Sequence, residues 1–131
     1  MNCHIIFSHY GRTNIYYPKD TVIFEEGSLI SGIHYLQSGH IKLMRTDDDG
    51  NQVLIKEIFE GEMFGHRCFF NKRVYGFSAL PTEDVLVSFL ERHMIFRLIT
   101  EDPEISHTLL KILGEELEEA DNRNYELARP R

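Results

Sequence analysis

Between Phe59 and Arg73 the chain reads Phe-Glu-Gly-Glu-Met-Phe-Gly-His-Arg-Cys-Phe-Phe-Asn-Lys-Arg, with Gly61 and Gly65 followed by a cationic, apolar stretch. Glycine lets a backbone approach a ligand closely, and a short helix starting at Gly65 would turn unpaired N–H groups toward an anion. Gly65, His66, Arg67 and Cys68 are therefore candidate ligand-binding residues, in a site that needs no catalytic group. A purely structural reading stands beside this one, because paired glycines also end strands and Phe64, Phe69 and Phe70 are ordinary core material.

Charge sharpens the contrast. The chain carries 14 basic and 21 acidic residues, for a formal net charge of −7. Glu101 to Asp121 holds eight acids against Lys111 alone, which accounts for the whole excess. Met63 to Thr82, by comparison, contains no acid but has His66, Arg67, Lys72 and Arg73. A locally cationic stretch in an anionic protein attracts anions, whereas the acidic remainder repels a phosphate backbone. DNA binding by this polypeptide itself is not expected.

The two cysteines, Cys3 and Cys68, make neither a disulfide framework nor a CxxC knuckle, which fits a reducing compartment. Arg67 and a helix start beside Cys68 would favour its thiolate, but a buried, inert thiol is the simpler reading. None of the seven histidines (His4, His9, His34, His40, His66, His93, His107) forms a diagnostic metal pair. A cupin-type metalloenzyme, the rival reading, needs three convergent ligands and an open coordination position. His34 and His40 are six apart, and His66 lacks the expected lead residues. No metal, cofactor or enzymatic activity is expected.

The elements that would position these residues are short. At 131 residues and 42% hydrophobic content the chain is about one domain long, by the rule of roughly 100–200 residues per domain. Runs rich in Ile, Val, Tyr and Phe, broken by turn residues, predict strands over Asn14–Tyr17, Thr21–Phe24, Ile33–Gln37, His40–Arg45, Gln52–Ile58, Gly76–Leu80 and Val85–Leu90. Asp49-Gly50 supplies the backbone angles for a hairpin between the fourth and fifth of these. Met94, Ile95, Leu98 and Ile99 lie at helical spacing. Asp102-Pro103-Glu104 then restarts the chain as a helix, with a capping acid, a proline at the first helical position and a glutamate facing the positive end. That helix should stop near Pro130.

Along it, Ile105, Leu109 and Ile112 face the β domain. Leu113, Leu117, Ala120, Asn124 and Leu127 follow the 4-3-4-3 spacing of a two-stranded coiled-coil seam and are the candidate homodimer interface. The alternative is an amphipathic helix packed against its own domain. No run approaches the roughly 18 apolar residues of a membrane span, and no basic residue precedes the first apolar run, so no membrane association and a cytoplasmic location are expected.

Read in order, Ile23-Phe24-Glu25-Glu26-Gly27, Ile33-His34-Tyr35-Leu36-Gln37-Ser38-Gly39, Asp49-Gly50, Gly61-Glu62-Met63-Phe64-Gly65, Ser78-Ala79 and Asp102-Pro103 resemble the cyclic nucleotide-binding domain of the cyclic-AMP receptor protein/FNR superfamily of transcription regulators. The resemblance covers nearly the whole chain. It implies a mainly β fold with flanking helices: an eight-stranded β-roll over residues 1–101 that senses an effector, then a dimerisation helix over 102–129. A winged helix-turn-helix DNA-binding domain would follow and is absent from this sequence.

The resemblance also implies a ligand-binding set that adds Arg73, Tyr75, Phe77, Ser78 and Ala79 to the glycine loop. Cyclic-AMP-binding relatives carry a ribose-binding glutamate where this chain has His66, and a phosphate-binding arginine where it has Phe77. Phenylalanine offers a desolvated phosphate nothing in place of a guanidinium. The usual cyclic-AMP contacts are thus missing; Arg67 or Arg73 meeting a different small anion is one reading, and both side chains being solvated is the other. Two cysteines are also too few for an FNR-type iron–sulfur cluster. A ligand-free interaction domain held by the same helix is the remaining alternative.

Overall fold

A computed structural model describes residues 2–130. Helix α1 (Cys3–Tyr10) leads into strands β1 (Arg12–Tyr17), β2 (Gly32–Ser38), β3 (Ile41–Thr46), β4 (Gln52–Ile58) and β5 (Met63–Phe64). Helix α2 (His66–Asn71), strands β6 (Ser78–Pro81) and β7 (Val85–Glu91), and helices α3 (Arg92–Glu101) and α4 (Pro103–Ala128) complete the chain. The strands form two antiparallel sheets, one ordered β1-β7-β2-β5 and the other β4-β3-β6. This is the expected mainly β roll with a long C-terminal helix.

Between the sheets Ile33, Leu36, Ile41, Ile58, Val85, Val87 and Leu90 are buried. Each such side chain contributes roughly 1.5–3 kcal/mol relative to exposure. The hairpin joining β3 and β4 turns where expected: Asp47 Oδ1 accepts from the amides of Asp49 and Asn51, at 3.0 and 2.8 Å, and Gly50 has φ +85°. At the helical end, Asp102 Oδ1 accepts from the amides of Glu104 and Ile105, so α4 starts at Pro103. Ile105 and Leu109 are buried and Ile112 packs on the core, which fixes the first turns of α4 to the roll.

Several local expectations shift. Thr21–Phe24 is not a strand; it contributes only an isolated bridge from Phe24 to Ala79. Turns closed by Thr21 N–H to Pro18 O and Ser28 N–H to Glu25 O leave too little extended chain for a ladder. The strand expected at Gly76–Leu80 begins two residues later, at Ser78. Met63–Phe64 forms a strand that the sequence reading did not identify, and the described residues hold seven strands plus isolated bridges rather than eight strands. Helix α1 was also not expected. Ile6 and Phe7 bury it, Phe7 stacking on Tyr35 at 5.3 Å, and Asn2 caps it by accepting from the Ile5 amide.

Candidate functional site

Gly65 ends β5 and starts α2 with φ +79°, a left-handed conformation that L side chains enter at a cost. A Cβ there would lie 3.2 Å from the Tyr75 ring, so the position also needs the space that glycine leaves. The turn delivers α2 against β2. Arg92 of α3 braces it from the other side, its guanidinium 4.9 Å from the Phe69 ring centroid and donating to Ile30 O at 3.0 Å.

A hollow of about 340 Å³ opens between α2 and strands β3 and β4. Its apolar walls are Leu43, Ile55, Ile58, Met63, Phe64 and Phe77, and its charged residues are Arg45, Lys56, Arg67 and Lys72. No acid lines it. Gly65, His66 and Cys68 line it as well, so five of the residues singled out from the sequence meet here: Gly65, His66, Arg67, Cys68 and Phe77.

The other four do not line this hollow. Tyr75 is buried with its ring stacked on Phe24 at 3.7 Å, and Ala79 is buried between β3 and the Phe24 bridge. Ser78 turns its hydroxyl to the Glu26 amide at 2.9 Å. Arg73 is exposed, and its carbonyl accepts from the Ile30 amide. These are structural positions, taken because the segment after α2 must pair back onto Phe24 to Ile30 before β6 begins. Cys68 is half-buried beside the hollow and Cys3 is a free thiol elsewhere, with Sγ 3.7 Å from Gly61 O.

Behind the hollow lies the feature that the sequence reading missed. His66 is only 4% exposed, and its Nε2 donates to both carboxylate oxygens of Glu116, on α4, at 2.9 and 2.7 Å. Arg67 Nε is 3.4 Å from the same carboxylate and Lys56 Nζ is 3.9 Å away. Burial works to raise the Glu116 pKa, but the His66 hydrogen bond and the charges of His66, Lys56 and Arg67 outweigh it and hold the carboxyl below its ordinary 4.5. A carboxylate that accepts from Nε2 fixes the proton on that nitrogen. Nδ1 of His66 is buried without a protein partner.

Glu116 itself lines a second, smaller hollow of about 200 Å³ with Glu62, Glu115 and Glu119, where Lys56 is the lone basic residue. Two hollows of opposite charge thus meet at the Glu116 cluster. The signal available in the sequence was the segregation of charge: the acid-rich segment and the acid-free segment are the two that touch.

Two other histidines sit away from this cluster. His34 is packed among Phe24, Phe64 and Phe89, with centroids 4.9 to 5.2 Å away, and desolvation lowers its pKa to about 3. His40 pairs with Thr82 at 2.6 Å and with Glu57 at 3.2 Å. Among the described residues no three His, Cys, Asp or Glu side chains gather as a metal site, and no helix is long and apolar enough to cross a membrane.

Beyond the roll, α4 leaves Leu117 64% and Leu127 82% exposed, while Leu113 and Ala120 are half-buried and Asn124 is exposed. Leu110, 67% exposed and three residues before Leu113, extends the same row by one step.

Comparison with known proteins is consistent with this architecture. Residues 14–102 match the family model for the cyclic nucleotide-binding domain. The cyclic AMP receptor protein of Thermus thermophilus is 30% identical over 105 residues, covering 80% of this chain and 49% of that protein. The CRP-like cAMP-activated global transcriptional regulator of Mycobacterium tuberculosis is 27% identical over 111 residues, covering 85% of this chain and 50% of the relative. The chain therefore spans about half the length of these curated relatives. The crystal structure of the Thermus thermophilus catabolite activator protein superposes with a TM-score of 0.81 at 27% identity, over 95% of this chain and 58% of the other. With the roll, the glycine turn and the long helix all in place, the chain belongs to the cyclic nucleotide-binding domain family, within the cyclic-AMP receptor protein/FNR superfamily of transcription regulators.

Proposed function

We propose that this chain is the effector-sensing and dimerisation part of a transcription regulator, not an enzyme, and that its effector is a small anion other than cyclic AMP. The observation that carries this reading is the acid-free cationic hollow against α2, tied through Glu116 to α4. An anion entering beside Lys56 and Arg67 would be felt at α4 without a relay. Phe77 in the wall, where cyclic-AMP-binding relatives hold an arginine, and His66, where they hold a glutamate, argue against the usual nucleotide contacts.

In this reading residues 1–101 form the sensing roll and 102–129 the dimerisation helix, joined to a second copy along Leu113, Leu117, Ala120, Asn124 and Leu127. Leu117 and Leu127, exposed on a mainly apolar row at coiled-coil spacing, support this. DNA contact belongs to a helix-turn-helix module after α4, since the acidic helix repels phosphate, and the regulator works in the cytoplasm. An effector shifts such a regulator only to the extent that it binds one arrangement of roll and helix better than the other.

The test is a thermal-denaturation panel of small organic carboxylates, sulfonates and cyclic AMP. A ligand that binds only the folded chain at a hundred times its Kd adds about 2.7 kcal/mol of stability, which shifts the melting temperature by several degrees. A shift with at least one apolar anion and none with cyclic AMP is expected. No shift with any member of the panel would instead favour a ligand-free interaction domain.

A further inference from the structure

Two cations and a buried imidazole N–H of the large hollow already have an anion. His66, Arg67 and Lys56 line that cavity, and all three converge on the Glu116 carboxylate, which reaches them from α4. Resting on the reading of this hollow as an effector site, we propose that Glu116 is a built-in placeholder for the effector's acidic group, and that the effector is an apolar monocarboxylate which displaces it and so unlatches α4 from α2.

The ligand class follows from the walls. Leu43, Ile55, Ile58, Met63, Phe64 and Phe77 offer an apolar body its surface, whereas Asn71 is the single uncharged amide or hydroxyl side chain in the lining. Sugar hydroxyls buried here would lose water without finding partners, a cost that an alkyl or aryl chain avoids. One carboxylate matches what the cluster holds now: a planar, acceptor-only group between an imidazole N–H, a guanidinium N–H and an ammonium. Exposed Arg45 and Lys72, also in the lining, supply a positive field that draws an anion in.

The exchange conserves charge. One carboxylate leaves Lys56, Arg67 and the buried His66 N–H as another arrives, so none of the three loses its acceptor. Glu116, once released, has Glu62, Glu115 and Glu119 around the smaller hollow it lines, with Lys56 as the one counter-charge. Like-charge crowding there disfavours the freed carboxylate staying in place and favours movement of this part of α4 away from the roll. Beyond Leu113 the helix is largely exposed, so little packing opposes that movement.

Octanoate is the probe. Calorimetric titration of the full chain and of Glu116→Gln, which keeps the shape and removes the competing charge, is expected to show octanoate binding about tenfold tighter to the variant, the gain obtained when a state closed about nine-tenths of the time is opened. Octanol, neutral and of equal length, should bind neither. Hydrogen exchange supplies the second readout: octanoate should speed exchange of α4 amides after Leu113 in the wild type and change them little in Glu116→Gln. Equal octanoate affinity in the two proteins overturns the placeholder while leaving the anion site standing. Absence of octanoate binding to both, with another anion of the panel stabilising the chain, overturns the monocarboxylate class but not the effector site.

Discussion

Glu116 and His66 stand fifty residues apart in the chain and 2.7 Å apart in space, and their contact joins the helix of the glycine turn to the helix that leaves the roll. Arg67 and Lys56 complete the cluster around the same carboxylate. This arrangement makes the link between hollow and long helix electrostatic, and therefore sensitive to acid.

The Glu116 pKa lies below 4.5 in the folded chain, so the unfolded chain binds its proton first as pH falls. The pair's stabilisation is present above that ordinary value and is lost as pH drops through the folded pKa. Wild type should therefore be more stable than Glu116→Gln at neutral pH, with the gap closing below about pH 4.5, as read by urea denaturation across pH. A gap of constant size down to strong acid would remove the ionic account of the contact.

His34 titrates in the opposite chemical sense with the same sign for stability. Its pKa falls from 6.5 to about 3 on folding because the charged ring would be desolvated among three phenylalanines. Below pH 6.5 the unfolded chain takes up a proton that the fold refuses, costing roughly 1.4 kcal/mol per pH unit until the folded pKa is reached. His34→Leu should flatten the decline in stability between pH 6.5 and 5. An unaltered slope would show that His34 is not the group responsible.

Gly65→Ala combines a left-handed φ with a Cβ 3.2 Å from the Tyr75 ring. The backbone term alone is about 1–2 kcal/mol. A melting temperature lowered by several degrees is expected, together with weaker anion binding, since α2 starts at this turn. Wild-type stability in Gly65→Ala would show that the turn does not need glycine.

Leu117→Asp tests the helix seam. Leu117 is 64% exposed in the single chain, so the substitution should leave the roll intact. Burying a carboxylate pair in a two-stranded seam should weaken self-association about tenfold or more. Sedimentation velocity showing an unchanged dimer would move the interface off this row.

Much of the fold was legible because its signals are local. The apolar-rich runs of β3 and β4, Asp49-Gly50 in the hairpin between them and Asp102-Pro103 at the start of α4 act through neighbours within a few residues, and each appears where it was expected. Thr21–Phe24 misled because its composition suits a strand, whereas the turns on either side decide whether a ladder has room to form. Helix α1 was hidden for a related reason: an eight-residue helix is too short to be stable alone, and burial of Ile6 and Phe7 against the roll supplies what local propensity does not.

For the site, sequence by itself determined the residue types around Gly65, the want of acid between Met63 and Thr82, and the acid-rich helix after Asp102. It could not say which residues after α2 would line a cavity; Arg73, Tyr75, Ser78 and Ala79 went to other structural tasks while Leu43, Arg45, Ile55 and Lys56 came in from β3 and β4. Nor could it pair Glu116, one of eight acids in its segment, with His66. Charge attraction depends on distance, and only the packing of Ile105 and Leu109 onto the roll lays the acidic helix across the cationic turn and chooses which carboxylate arrives.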